Sequence, residues 1–383
     1  MQPTLQLKPG KGPRAAQGHP WAYASDVREL LPGNLNGQAV ELKDSRGRSL
    51  GTGLYNGKSQ IVWRRFSRDV RKFDRAFLAE AIGAAIERRT KDDFRRVVWS
   101  EADELPGLVV DQFADVLVVQ LLTLGMDAAR ADIESVLEEL LAPREIVYRN
   151  DAPSRQHEGL PMHVNTRSGE RSSAQWFTID GLEYFLDLFG GQKTGFYLDQ
   201  RGQHRRIAEL AKGRRVLDAF CNQGAFAMHC ARAGAKSVLA VDISPECAQA
   251  TKMNAGKNQL AINVEQANMF DWFTANRNET FDLIVLDPPS FARNKKSLAG
   301  ALRGYKELNL RALRLLAPGG ILASYSCSQS VGLGEFMQTV RDAAADARRD
   351  VRLVQVTGQP ADHPALLNIP ESHYLKGVIL EAR

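Results

Sequence analysis

Two short segments of this 383-residue chain carry side chains whose type and placing suit chemistry. In SYSCSQS, residues 324 to 330, Cys327 stands between two serines just past the apolar run GGILA. A cysteine that only packs belongs within such a run. This one sits at its exit. In FDLIVLDPPSF, residues 281 to 291, Asp287 closes an apolar run and is followed by two prolines, a serine and a phenylalanine. Proline fixes φ and donates no N–H, so the Asp287 carboxylate and the carbonyls of Pro288 and Pro289 project in a set direction, with Phe291 as a flat apolar surface nearby. Such a group suits a planar, hydrogen-bonding base. A thiolate beside that base has a specific use. Carbon 5 of cytosine is a poor nucleophile until a thiolate adds to carbon 6, and protonation at ring nitrogen 3 eases the addition. Cys327 would be the nucleophile and Asp287 the group at the nitrogen edge. Methylation of an exocyclic amine would need only the Asp-Pro-Pro turn, so the cysteine discriminates between the two chemistries.

A cofactor site is legible upstream. LDAFCNQGAF, residues 217 to 226, ends an apolar run in an acid and holds a single glycine, Gly224. A dinucleotide would call for GxGxxG to bring the backbone against a pyrophosphate. One glycine fits a nucleoside without phosphates better. In VLAVDI, residues 238 to 243, Asp242 ends the next run, where a carboxylate can accept both ribose hydroxyls. Asp218 is placed to hold either the glycine loop or the amino end of the ligand. Ser244 and Pro245 already supply the helix-start signals, which frees Asp242 for a ligand. S-adenosylmethionine, cationic and phosphate-free, matches two carboxylates and one glycine.

The elements that must position these residues follow from periodicity. From about residue 195, RRVLDAF, SVLAVDI, INVEQAN, FDLIVLD and GILASYS alternate with helical segments, as in a doubly wound parallel α/β sheet. DVRLVQV and YLKGVILEA follow without a crossover helix, which makes an antiparallel last strand easiest. If the strands ending in Asp287 and Cys327 are neighbours, their backbones lie roughly 5 Å apart. Residues 1–72 read as a hairpin-rich β domain, residues 73–190 as a small α+β domain, and residues 191–383 as the doubly wound domain.

Bulk properties narrow the classes. Residues 1–72 hold 13 Lys+Arg against 5 Asp+Glu, while the whole chain carries only +5. A basic module on a near-neutral body points to a polyanion partner. The run RNKK, residues 293 to 296, is either a solvated loop or, through Lys295, a phosphate contact beside the active edge. Cys221, Cys230 and Cys247 read as packing residues, and the cysteines and histidines lack zinc spacing. No uncharged apolar stretch approaches a membrane span, and MQPTLQLKPGKGPR lacks a signal-peptide core, so a cytoplasmic protein without a metal is expected.

Longer matches identify a family. LKPG, GHPWAYASDV, YRNDAPSRQHEGLP, GQKTGFYLDQR, DPPSFARNKKSLAGALRGYKELN, SYSCSQS and DHPALLNIPESHYLKG occur in the order found in the RlmI-type ribosomal RNA large-subunit methyltransferases, and the chain resembles them over nearly its full length. The resemblance implies a PUA-like RNA-binding β domain, a central α+β domain and a Rossmann-like S-adenosylmethionine-dependent methyltransferase domain that forms 5-methylcytosine in large-subunit ribosomal RNA. It also implies Cys327 as the thiol, Asp287 as the acid, and a cofactor pocket lined by Lys193, Thr194, Tyr197, Gln200, Arg201, Asp218, Phe220, Gly224 and Asp242. Asn268 stands where an aspartate is expected near the adenine amine, and its carbonyl can accept the same bond. Asn222 has no counterpart in the commoner glycine-rich loop. Two other readings stand beside this one: a methyltransferase of an exocyclic guanine or adenine amine, and a non-catalytic RNA-binding assembly factor. A homodimer is left open.

Overall fold

Hairpins dominate the start of the chain because short β-branched and aromatic runs there are punctuated by Gly, Asn and Asp. The structure, a computed structural model, describes residues 2–171, 174–191, 193–291 and 297–383. Strands β1 (Thr4–Gln6), β2 (Trp21–Tyr23), β3 (Ala39–Lys43), β4 (Ser49–Tyr55) and β5 (Ile61–Ser67) form a sheet in the order β1-β3-β4-β5-β2, with the single turn of helix α1 (Pro13–Ala16) between β1 and β2. Leu5, Val40, Leu42, Val62 and Trp63 are its fully buried centre.

Helix α2 (Arg75–Glu87) opens on an Asp74 cap that accepts from the Phe77 N–H. A second sheet follows, built from β6 (Phe94–Trp99), β7 (Leu108–Phe113), β8 (Val116–Leu121), β9 (Glu145–Asn150) and β10 (His163–Thr166) in reverse chain order, with α3 (Leu124–Ala128), α4 (Arg130–Leu141) and α5 (Ser154–His157) between its strands. One apolar cluster joins Phe77 and Ile82 of α2, Ile133 and Leu137 of α4, the strands β6 to β9, and Leu54 and Phe66 from the first sheet. Burial of such side chains is worth about 1.5–3 kcal/mol each. Glu158, 3% exposed, reinforces this junction by accepting from Asn56, Ser59 and Arg64.

Contacts along the backbone divide the chain into two units: residues 1–175, 186–198 and 361–370, and residues 176–185, 199–360 and 371–383. The second unit takes most of the hairpin β11 (Gln175–Ile179) and β12 (Leu182–Leu186), although the sequence groups that segment with the residues before it. The pairing is made by side chains: Asn258 bonds both the N–H and the C=O of Glu183, and Asn254 accepts from the Phe185 N–H.

The remaining elements are α6 (Arg201–Ala208), β13 (Arg215–Ala219), α7 (Ala225–Arg232), β14 (Ser237–Asp242), α8 (Pro245–Lys257), β15 (Asn263–Gln266), α9 (Met269–Ala275), β16 (Phe281–Leu286), α10 (Leu298–Leu315), β17 (Leu316–Ser326), α11 (Leu333–Ala347), β18 (Val351–Gly358) and β19 (Lys376–Ala382). Their seven strands stand in the order β15-β14-β13-β16-β17-β19-β18, all parallel except β19, which runs antiparallel to both neighbours. The order reverses between β13 and β16, and ligands of doubly wound sheets bind outside the carboxyl ends there. Among the described residues no helix is long and apolar enough to cross a membrane.

Candidate active site

At the carboxyl end of β13 the chain turns sharply, with Phe220 (φ 77°), Asn222 (φ 48°) and Gly224 (φ 82°) all in the left-handed region. The turn is held by backbone and side-chain bonds. Phe220 and Cys221 both donate to Val241 O, and the Gly224 N–H donates to Cys221 O at 2.7 Å. Gly224 is required there, since a Cβ would lie 2.7 Å from Thr251 Cγ2. Asn222, which sequence comparison left without a role, donates its N–H to Asp242 Oδ2 at 2.9 Å. The other oxygen of Asp242 accepts from the Ser244 N–H at 2.9 Å, while Ser244 caps α8 through its own hydroxyl. Asp242 therefore locks the glycine loop to the start of α8. Next to it Ile243 is 61% exposed, an apolar side chain at the ligand edge that sequence reasoning passed over.

Asp218 is 1% exposed. Its Oδ2 accepts from the Ala227 N–H at 3.0 Å, and its Oδ1 has no hydrogen-bond partner among the described residues. Burial pushes its carboxyl up to about 7; the Ala227 N–H opposes this, and the charges of Asp287 and Asp242 add to it. Two carboxylates thus act on Asp218 from the adjoining strand ends. Gln200, at the start of α6, is 2% exposed, and neither end of its amide is paired among the described residues. Orphaned buried acceptors and an orphaned amide are rare in a core and fit a polar, cationic ligand.

The other expected cofactor residues are placed as follows. Arg201 forks onto Asp180 through Nε at 3.0 Å and an Nη at 2.7 Å, tying α6 to the β11–β12 turn. Lys193, Thr194 and Tyr197 belong to the first unit: Thr194 Oγ1 donates to Asp111 Oδ2 at 2.7 Å, and the Lys193 ammonium lies 4.0 Å from the Tyr197 ring centre. Asn268 is exposed and caps α9, its Oδ1 accepting from the Phe270 N–H at 2.9 Å. An sp² oxygen keeps a second lone pair, so the cap and an adenine amine are compatible. Asn254, absent from the sequence reading, donates to Gln223 O at 3.1 Å and so braces the loop from α8.

The second edge lies one strand over. β16 and β17 are parallel neighbours with Leu286 opposite Ser324. Asp287 and Cys327 follow these strands directly, Cys327 two residues further along the register than Asp287. Their loops are bonded to each other: Ser290 Oγ and Ser328 Oγ are 2.9 Å apart, and Tyr305 of α10 reaches Ser328 Oγ at 2.9 Å from beneath. Phe291, expected to face a base, leans on the Tyr305 ring at 4.9 Å and packs on the core cluster below. Its role in positioning the turn was hidden because Tyr305 is fourteen residues away in sequence. Pro288 is buried and Pro289 exposed. Lys295 lies outside the described residues. Of the four cysteines, Cys327 alone is not buried; burial drives the thiols of Cys221 and Cys230 far up, which leaves them inert. Among the described residues no cluster of His, Cys, Asp and Glu is suited to a metal ion.

Comparison with known proteins gives the family and the fold. Residues 5–68 match a PUA-like domain and residues 94–369 the S-adenosylmethionine-dependent methyltransferase family. The chain is 38% identical to the protein named ribosomal RNA large subunit methyltransferase I of Shewanella amazonensis, covering 99% of each chain, and 35% identical to that of Aeromonas hydrophila, covering 100% of each. In fold it superposes on an S-adenosylmethionine-dependent methyltransferase of Streptococcus mutans with a TM-score of 0.83 at 18% identity, over 99% of this chain and 100% of that one. A methyltransferase solved with SAH gives a TM-score of 0.84 at 20% identity, over 99% and 100%. The unpartnered buried acceptor of Asp218 and the single-glycine loop fit a cationic, phosphate-free ligand such as S-adenosylmethionine, and the chain belongs to the ribosomal RNA large subunit methyltransferase I family of S-adenosylmethionine-dependent methyltransferases.

Proposed function

We propose that this protein methylates carbon 5 of a cytosine in large-subunit ribosomal RNA through a transient bond between Cys327 and the base. The observation that carries the reading is the Ser290–Ser328 hydrogen bond, which ties the Asp-Pro-Pro turn to the loop bearing the one cysteine that is not buried. The names of the full-length relatives supply the RNA class.

Bound S-adenosylmethionine supplies an electrophilic methyl group on its sulfonium. Asp218 and Gln200 would hold its cationic amino acid end and Asp242 its ribose. The Cys327 thiolate adds to carbon 6 of the cytosine as Asp287 protonates nitrogen 3, which leaves carbon 5 electron-rich. After carbon 5 is methylated, loss of its proton to a base and of the proton on nitrogen 3 restores the ring, and the sulfur leaves with the electrons of the S–C bond. A paired cytosine must first be unstacked, at a cost of a few kcal/mol, and phosphate contacts offset this. The basic surplus of residues 1–72 suits those contacts, so RNA affinity falls as salt rises.

The test is transfer of labelled methyl to ribosomal RNA, with the product nucleoside identified by mass spectrometry. 5-Methylcytosine from the wild type and none from Cys327→Ala, with cofactor binding intact, is the expected result. A methylated exocyclic amine, or appreciable 5-methylcytosine from Cys327→Ala, overturns the mechanism.

A further inference from the structure

Lys376 is the first residue of β19, and the antiparallel register sets it opposite Ser326, the last residue of β17. Directly opposite residues project to the same face, so the lysine stands beside the strand end that continues into Cys327. It is 2% exposed, and its Nζ donates to Ser328 O and Val331 O, each at 2.6 Å. Those carbonyls belong to the loop that carries the cysteine. An isolated buried ammonium costs several kcal/mol unless something compensates it. Two neutral carbonyls do so only in part, and no carboxylate pairs with Lys376 among the described residues.

The titratable groups around the lysine and the loop it holds come from three elements. Cys327 lies at the end of β17, and Glu335 on α11 is exposed, with its carboxylate accepting from the Gly332 N–H at 2.8 Å. The Tyr305 hydroxyl of α10 interacts with Cys327 and bonds Ser328 Oγ at 2.9 Å. Burial pulls the lysine down to about 8, with Cys327 first and Glu335 second in the opposite sense. It is therefore still mostly protonated at neutral pH, and the group that best complements it is an ionised Cys327.

We infer that Lys376 is a positioning residue for Cys327: its buried ammonium stabilises the thiolate, and its two hydrogen bonds fix the loop that aims the sulfur. The inference deepens the reading of Cys327 as the nucleophile and rests on it. The proton lost by the thiol goes to solvent before substrate binds, and Lys376 keeps its own three. The sulfur's electron pair then makes the bond to carbon 6 and recovers it on elimination. A purely structural lysine would fix the loop without moving the titration of the thiol.

The experiment is alkylation of the substrate-free full-length protein by iodoacetamide across pH 5 to 10, with peptide mass mapping of Cys327. The wild type should react with a midpoint below that of a free thiol, about 8.5. Lys376→Met should raise the midpoint by about one pH unit or more, a roughly ten-fold slower reaction at pH 7, and Lys376→Arg should restore most of it. Binding of S-adenosylmethionine by calorimetry verifies that Lys376→Met is folded. A folded Lys376→Met with the wild-type profile overturns the inference. If that variant does not fold, a wild-type midpoint at or above the free-thiol value overturns it. Because the titration uses no RNA, residual methylation by Cys327→Ala would sink the nucleophile reading while leaving the lysine–thiol coupling measurable.

Discussion

Asp218→Asn gives a test in which stability and binding move in opposite directions. In the folded chain without cofactor the Asp218 carboxyl is raised from 3.8 to about 7, chiefly by burial. The sign follows from proton counts. Below about pH 4 both folded and unfolded chains hold the proton. Between about 4 and 7 the folded chain keeps a proton that the unfolded chain has released, so stability falls as pH rises through this window. Above 7 the penalty is fully present, on the order of 4 kcal/mol for a carboxyl moved this far. Asparagine keeps an acceptor for the Ala227 N–H and removes the charge. It forgoes the charge-assisted part of that bond, about 1–2 kcal/mol. The cofactor-free variant should therefore be about 2–3 kcal/mol more stable than wild type at pH 8 and show no such gain at pH 4.

Binding should go the other way, because a cationic ligand favours the ionised carboxylate. The wild type should bind S-adenosylmethionine more weakly at pH 6 than at pH 8, and Asp218→Asn should lose at least ten-fold in affinity at pH 8. Urea unfolding at both pH values, with and without cofactor, reads all of these quantities. If Asp218→Asn were destabilised equally at pH 4 and pH 8 and bound cofactor like the wild type, the buried carboxylate would be structural and the argument for the cofactor site would fail.

Four further substitutions probe the two edges. Gly224→Ala forces an L side chain to φ 82° with its Cβ 2.7 Å from Thr251 Cγ2, and should cost about 1–3 kcal/mol by urea unfolding. The added change Thr251→Ser, which removes that methyl, should recover part of the loss and leave the backbone term. Ser328→Ala removes one hydrogen-bond partner each of Ser290 and Tyr305; methyl transfer should fall at least ten-fold while calorimetric cofactor affinity stays within two-fold. Asp242→Ala frees the N–H groups of Asn222 and Ser244 and should abolish measurable cofactor binding while costing about 1–3 kcal/mol of stability.

What the sequence reveals of this site divides along a physical line. Asp218, Asp242, Asp287 and Cys327 are legible because each ends an apolar run, and a doubly wound sheet delivers the ends of its parallel strands to one edge. Their local context, a single glycine or a pair of prolines, narrows the ligand. Partnerships across long chain separations carry no such mark. Nothing in the sequence marks the fork of Arg201 onto Asp180 or the contact of Phe291 with the Tyr305 ring. Asn254 and Asn258 hold the β11–β12 hairpin by side-chain bonds that no periodicity foreshadows. In the first unit, the apolar face of α2 completes a core with α4, a pairing across about fifty residues of chain that periodicity alone does not assign.

Lys376 shows the same division most sharply, since its burial depends on strand order. Reversal of the last strand is expected from the lack of a crossover helix before it. Had β19 merely folded back along the outer side of β18, its first residue would lie at the rim of the sheet, with the ammonium in water. Instead β19 is inserted between β17 and β18, and both faces of the inserted strand are covered, with Val378, Ile379 and Leu380 at 5% exposure or less. Insertion places residue 376 against Ser326 and beneath the loop from Cys327 to Val331. The lysine cannot reach water there without breaking the pairing that defines the end of β17. A cation placed by the strand register and bonded to the loop that carries the cysteine makes strand order itself an electrostatic determinant of the proposed chemistry.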